Sequence, residues 1–123
     1  MNKQFLDLFQ VVARNGALNA EQAMKALQKE EHKPEDENIL LDMRDRFNKL
    51  EDKISENPDG LSMADYIQLY AGAVVSRNII QKNINTWTAV VKEYDDNLIP
   101  KLHEVANEMD DDKRESLIDE YFN

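Results

Sequence analysis

The sequence predicts an all-α fold: a bundle of four to six helices around an antiparallel hairpin of helix 3 and helix 4, with one long central helix over about residues 62–96. Three observations carry this. Apolar residues recur every three or four positions, and no stretch shows the alternation of a half-buried strand. Glycine and proline number three each, too few for a sheet and its turns. Between Leu61 and Val91 only Asp65, Arg77 and Lys82 are charged, in a chain that is 33% Asp, Glu, Lys and Arg. A helix poor in charge on every side is contacted on several sides.

Helix 1 is expected from about Asn2 to Arg14, with Phe5, Leu8, Phe9 and Val12 at helical spacing and Gly16 as its terminator. Helix 2 follows from about Ala20 to Glu31, with Asn19 and Gln22 as a capping pair, and ends before Lys33-Pro34. Helix 3 spans about Glu35 to Glu56, its first turn acidic and its stripe Leu40, Met43, Phe47, Leu50, Ile54 spaced like a hairpin seam. Asn57-Pro58-Asp59-Gly60 is a tight turn.

Helix 4 starts at Ser62, an N-cap with Asp65 at the third helical position and Leu61 and Tyr66 as a hydrophobic staple. It meets no breaker until about Asp95, a length of roughly 50 Å at 1.5 Å per residue. Its apolar stripe continues as Ile80, Ile84, Trp87, Val91, Tyr94 and Leu98, beyond what helix 3 can cover. Pro100 breaks or kinks the chain. A short helix from about Lys101 to Met109 and a last one carrying Leu117, Ile118, Tyr121 and Phe122 complete the bundle, the latter capped by Asp110-Asp111-Asp112 with Asp112 and Glu115 as a capping pair.

At 123 residues the chain is long enough for one domain without staples. No cysteine is present, which excludes disulfides, thiolate metal sites and a cysteine nucleophile. The longest apolar run, Tyr70 to Val75, is far below a membrane span, and Met1 to Asp7 holds no signal-peptide core. A cytoplasmic protein is expected. The net charge of −10 argues against direct binding to nucleic acid or an anionic membrane and admits a basic protein partner. From Pro100 onward there are eight acidic and three basic residues. Abundant Asn, Lys, Asp and Ile point to an AT-rich bacterial or phage genome.

The catalytic and metal motifs fail one by one. No glycine precedes the Lys-Ser/Thr of a phosphate loop. His103-Glu104 opens a zincin motif, but Asn107 stands where the second histidine is needed. Glu93 and Asp96 supply half of the acidic pairs of an all-helical nucleotide pyrophosphatase and find no partner pair upstream in helix 4. Aligned on Gly60, an EF-hand loop would have Ser55 first and Tyr66 in place of its bidentate Glu. Residues 11–31 have a helix-turn-helix outline, yet the second helix carries Glu21, Glu30 and Glu31 and no arginine to read a guanine.

These exclusions leave a non-enzymatic protein-binding module, a small bacterial or phage regulatory, inhibitory or accessory protein, without catalytic residues, cofactor or metal. The expected partner surface is Arg77, Ile80, Lys82, Ile84, Trp87, Val91 and Tyr94, because Arg and aromatic residues dominate interface energetics. Two alternatives stand beside it: a homodimer or larger homo-oligomer assembling through the second half of helix 4, and an acidic nucleic-acid mimic using residues 104–120.

Overall fold

A computed structural model describes the whole chain except residues 84–87, and the side chains of 83–88 are outside the description. The fold is an all-α bundle, and no strand occurs among the described residues. Its elements are α1 (Lys3–Leu27), α2 (Pro34–Glu56), a 3-10 turn (Pro58–Gly60), α3 (Met63–Asn83), α4 (Thr88–Glu93), a π-helical turn (Tyr94–Leu98), α5 (Ile99–Asn107) and α6 (Asp111–Phe122).

The first two expected helices are one. The Asn2 side chain caps α1 by accepting from the Gln4 N–H at 2.8 Å, and the helix then runs unbroken through Gly16 and Asn19. Gly16 does not terminate it, because no glycine takes a positive φ. Its role is close packing: a Cβ there would lie 2.6 Å from the Phe47 ring. Ala13, Ala17 and Ala20 are buried beside it, so α1 offers α2 a face of small residues. The helix-turn-helix outline disappears with the break.

Lys33 is extended, as a residue before proline must be, and Pro34 opens α2 with Glu35, Asp36 and Glu37 in the first turn. α2 returns antiparallel along α1, tied by Gln10 to Ser55 at 3.1 Å and by Arg14 to Glu51 at 2.9 Å. Phe47, Leu50 and Ile54 face the core, whereas Met43 is 40% exposed.

α3 begins as expected. The Ser62 N–H donates to Asp65 Oδ2 at 2.7 Å, and the Asp65 N–H donates to Ser62 Oγ at 3.2 Å, a reciprocal capping box. Leu61 and Tyr66 are both buried against the core. The single helix over 62–96 and its hairpin with helix 3 are corrected. Arg77 reaches Asp95, 18 positions on, with Nε–Oδ1 at 2.9 Å and Nη2–Oδ2 at 3.0 Å. On a straight helix these residues would stand about 27 Å apart. The arm from Thr88 to Asn107 therefore lies back along α3, with α5 packed antiparallel on it. The two hairpins are α1 with α2 and α3 with the returning arm. The physical reason is fit. α1 is long enough to serve α2 as a full-length partner, and Tyr94, Leu98, Leu102 and Val105 bury their apolar stripe against the bundle by folding back.

Pro100 neither ends nor breaks this arm. It supplies no N–H, and the preceding turn widens so that the Ile99 N–H donates to the Tyr94 carbonyl, five residues back. α6 is capped by Asp110, which accepts from the Lys113 N–H at 3.0 Å, two residues before the expected capping pair. It delivers Phe122, fully buried, to the bundle's aromatic centre. The Phe122 ring lies 5.0 Å from both Phe5 and Phe9 and 6.0 Å from Tyr66, between centroids.

Candidate functional site

The reversal redistributes the residues expected to meet a partner. Tyr94 is 2% exposed and belongs to the core, which corrects its expected place on a surface. Burial raises its phenol pKa. Ile80 is half-buried and packs on the core, and Val91 is half-buried. Arg77 is held by Asp95, and that bidentate bond raises the guanidinium pKa and lowers that of the carboxyl. Lys82 is exposed. Ile84 and Trp87 lie outside the described residues. The stripe from Ile80 to Leu98 thus finds much of its cover within the chain.

The apolar surface left open lies elsewhere. α2 and α3 run antiparallel and touch where Lys53 Nζ meets Asp65 Oδ2 at 2.5 Å. They approach again where the Phe47 ring reaches Gly72, but each packs more extensively on α1. An open groove of about 560 Å³ remains between them. α1 contributes Gly16 and Asn19, α2 contributes Met43, Arg46 and Phe47, and α3 contributes Ala64, Ile67, Gln68, Ala71 and Val75. At its narrow end it continues into a shallower hollow of about 210 Å³ reaching Lys49 and Lys53.

The small residues of α1 and α3 make the groove. Gly72 lets Val12 and Phe47 approach to where a Cβ would lie 2.9 and 3.0 Å away, so the floor sits deep. Ile67 is 47% exposed on one wall. On the other, Met43 is 40% exposed. At the closed end, partial burial raises the Asp65 pKa, but bonds from Lys53 and Ser62 outweigh it and hold the carboxyl below its ordinary range. The groove therefore has an ion pair at one end and apolar side chains along its walls. Aside from Asp65, no acid or base lines its α3 wall.

The acidic C-terminal stretch is partly engaged locally. Asp110 caps α6, and Asp111 pairs with Arg114 at 2.5 Å. Glu104 accepts from the Tyr121 hydroxyl, a bond that, with partial desolvation, pushes the phenol pKa up to about 12. Among the described residues no three His, Asp or Glu side chains converge to hold a metal ion. No described helix is long and apolar enough to cross a membrane.

The groove was not expected from the sequence. Met43 was assigned to the seam against helix 4, and Ile67 falls outside the stripes that define the core. The available signal was that Ile67 and Val75 exceed what those stripes use, but only the helix pairing brings them together with Met43. No protein-family model matches this chain, and neither a curated protein nor a solved structure shows significant similarity to it.

Proposed function

We propose that this chain is a non-catalytic protein-binding module whose docking face is the groove between α2 and α3. The observation that supports this reading is the groove itself: an open, apolar concavity lined by Phe47 and flanked by Met43 and Ile67, both at least 40% exposed. Isolated exposed apolar residues are ordinary, but a contiguous apolar concavity with a polar rim marks an interaction site. Its shape, a trough between two antiparallel helices, suits a third helix presenting apolar residues at i, i+3, i+4 and i+7. The acidic surface disfavours nucleic acid and anionic membranes as partners. A small bacterial or phage regulatory or accessory protein acting in the cytoplasm fits these properties.

The test is affinity capture from the native host with the tagged chain and with Met43→Glu and Ile67→Glu. Both side chains are exposed enough that a carboxylate leaves the fold intact, to be verified by circular dichroism. A specific protein retained by the wild type and lost with both variants supports the groove. Retention unchanged by both variants overturns it.

A further inference from the structure

The apolar line that begins on α3 does not stop where α3 stops. From Tyr66 to Val105 every step along it is three or four residues, with Ser76 its one polar member. Across the connection between α3 and the returning arm it reads Ile80, Ile84, Trp87, Val91, Tyr94, Leu98. That is the seam repeat of paired helices, held in one phase for about 40 residues. The two helices of a hairpin need share no phase, because the connection between them sets the inward face of each one anew. Neither glycine nor proline stands between Gly72 and Pro100 to enforce a turn. The line therefore suits one uninterrupted helix as well as it suits two.

The register of the arm on α3 is symmetric about the middle of this line. Arg77 and Asp95, paired at 2.9 Å, each stand nine positions from residue 86. Tyr70 and His103, with ring centroids 5.3 Å apart, stand sixteen and seventeen positions from it. Two copies with the line extended, laid antiparallel about a twofold axis at that residue, set the same residues against the same partners, each pair occurring twice. The other contacts of the arm and α6 cross with them. Lys101 Nζ lies 4.9 Å from the Phe5 ring centroid, and the Phe122 ring lies 5.0 Å from both Phe5 and Phe9. These join the returning half of the chain to α1, and none depends on which copy supplies that half.

We propose that residues 88–122 exchange between two copies of this chain, giving a symmetric dimer in which each arm packs on the α3, and each Phe122 enters the aromatic centre, of the other. This inference stands apart from the groove between α2 and α3. The contacts are the same in both forms, so concentration during folding sets the partition between them, and interconversion is slow because Phe122 must first leave the core. The experiment uses full-length wild type, Arg77→Glu and Asp95→Arg, each checked for folding by circular dichroism and each refolded from urea at low and at high concentration. The wild type is expected at 14.3 kDa from dilute refolding and increasingly at twice that mass from concentrated refolding. Within either variant the clasp becomes a like-charge pair, whether the chain is closed or exchanged with its own kind. Between the two variants both clasps are opposite-charge pairs. Refolded together, they are expected to give a mixed dimer, resolved by native mass spectrometry, about tenfold above the random share. A wild type that stays at 14.3 kDa after refolding at every concentration overturns the proposal, whatever the variants do. So does a mixed dimer at no more than its random share. Met43→Glu and Ile67→Glu leave the arm untouched and should dimerise as the wild type does; loss of the dimer with both would place the interface in the groove instead and overturn the exchange.

Discussion

Replacing Phe122 by alanine is expected to remove a large part of the stability of the whole molecule, although it is the penultimate residue. Chain ends are ordinarily tolerant of change. This one is 0% exposed, and its ring touches aromatic rings from α1 and α3 at centroid distances of 5.0 to 6.0 Å. Deleting a fully buried phenylalanine costs about 3–5 kcal/mol, the transfer loss plus the cavity left behind. The upper half applies here, because Phe5, Phe9 and Tyr66 are held on two different helices and cannot all collapse into the space. A 123-residue domain has roughly 6–18 kcal/mol of total stability, so about 4 kcal/mol is a substantial fraction. The melting temperature should fall by about 12–20 °C, followed by circular dichroism at 222 nm and checked by urea titration. Phe122→Leu, which keeps most of the volume, should cost only about 1–1.5 kcal/mol. Asn123→Ala, at an exposed neighbour, should change little. A double-mutant cycle with Phe9→Ala should return a coupling of about 0.5–1.5 kcal/mol. A Phe122→Ala loss below about 1 kcal/mol would refute the reasoning, since α6 would then be a dispensable appendage.

Three further outcomes are expected. Gly16→Ala raises helix propensity by about 1 kcal/mol yet places a methyl 2.6 Å from the Phe47 ring, so it should destabilise by about 1 kcal/mol net in chemical denaturation; a stabilised variant would show that Phe47 yields freely. Ser76 is fully buried and its hydroxyl has no hydrogen-bond partner among the described residues, so Ser76→Ala should be neutral or stabilise by up to about 1 kcal/mol; a clear loss of melting temperature would reveal a partner. At the turn of the first hairpin, His32 Nδ1 faces the Glu30 carbonyl at 2.9 Å and Nε2 faces Glu37 at 3.1 Å. Two acceptors on one ring favour the imidazolium. The Glu30 carbonyl first and Glu37 second raise the His32 pKa, while bonds from Gln28 first and His32 second lower that of Glu37. The raised histidine favours the folded state below its unfolded pKa of about 6.5 and loses that effect as pH rises through the folded value. The lowered Glu37 favours it above the ordinary glutamate range and loses that effect as pH falls through its folded value. Amide exchange across residues 28–33, corrected for intrinsic rates, should therefore be slowest at about pH 5–6 and accelerate on both sides; a flat profile would show that the clamp does not hold this turn.

What the sequence revealed and what it concealed divide along physical lines. The start of α3 was legible because a capping box is local chemistry: Ser62, Asp65 and the staple residues Leu61 and Tyr66 act within one turn. The break before Pro34 was legible for the same reason. Gly16 misled because glycine has two uses, ending a helix and admitting a neighbour. Only the presence of Phe47, in a different helix, distinguishes them. The return of the later arm along α3 was hidden because no glycine or proline stands between Gly72 and Pro100, and the apolar period reads alike in one long helix or in two that lie side by side. Pro100, read as a break, is accommodated by one widened turn. The groove was concealed most completely, because an unpaired face exists only relative to partners chosen by the rest of the chain.

The aromatic centre also has a consequence for the order in which the molecule folds. Gln10 with Ser55 and Arg14 with Glu51 join positions within one hairpin, whereas Phe5 and Phe9 meet Phe122 across nearly the whole chain. Closing so long a loop costs entropy before any contact rewards it. The α1–α2 hairpin is thus the natural nucleus, and the docking of α6 a late event. Perturbations at Phe122 should appear chiefly in the unfolding rate, while those at Gly16 should appear in the folding rate. The residue that contributes so much to the finished core would then have almost no influence on how quickly that core begins to form.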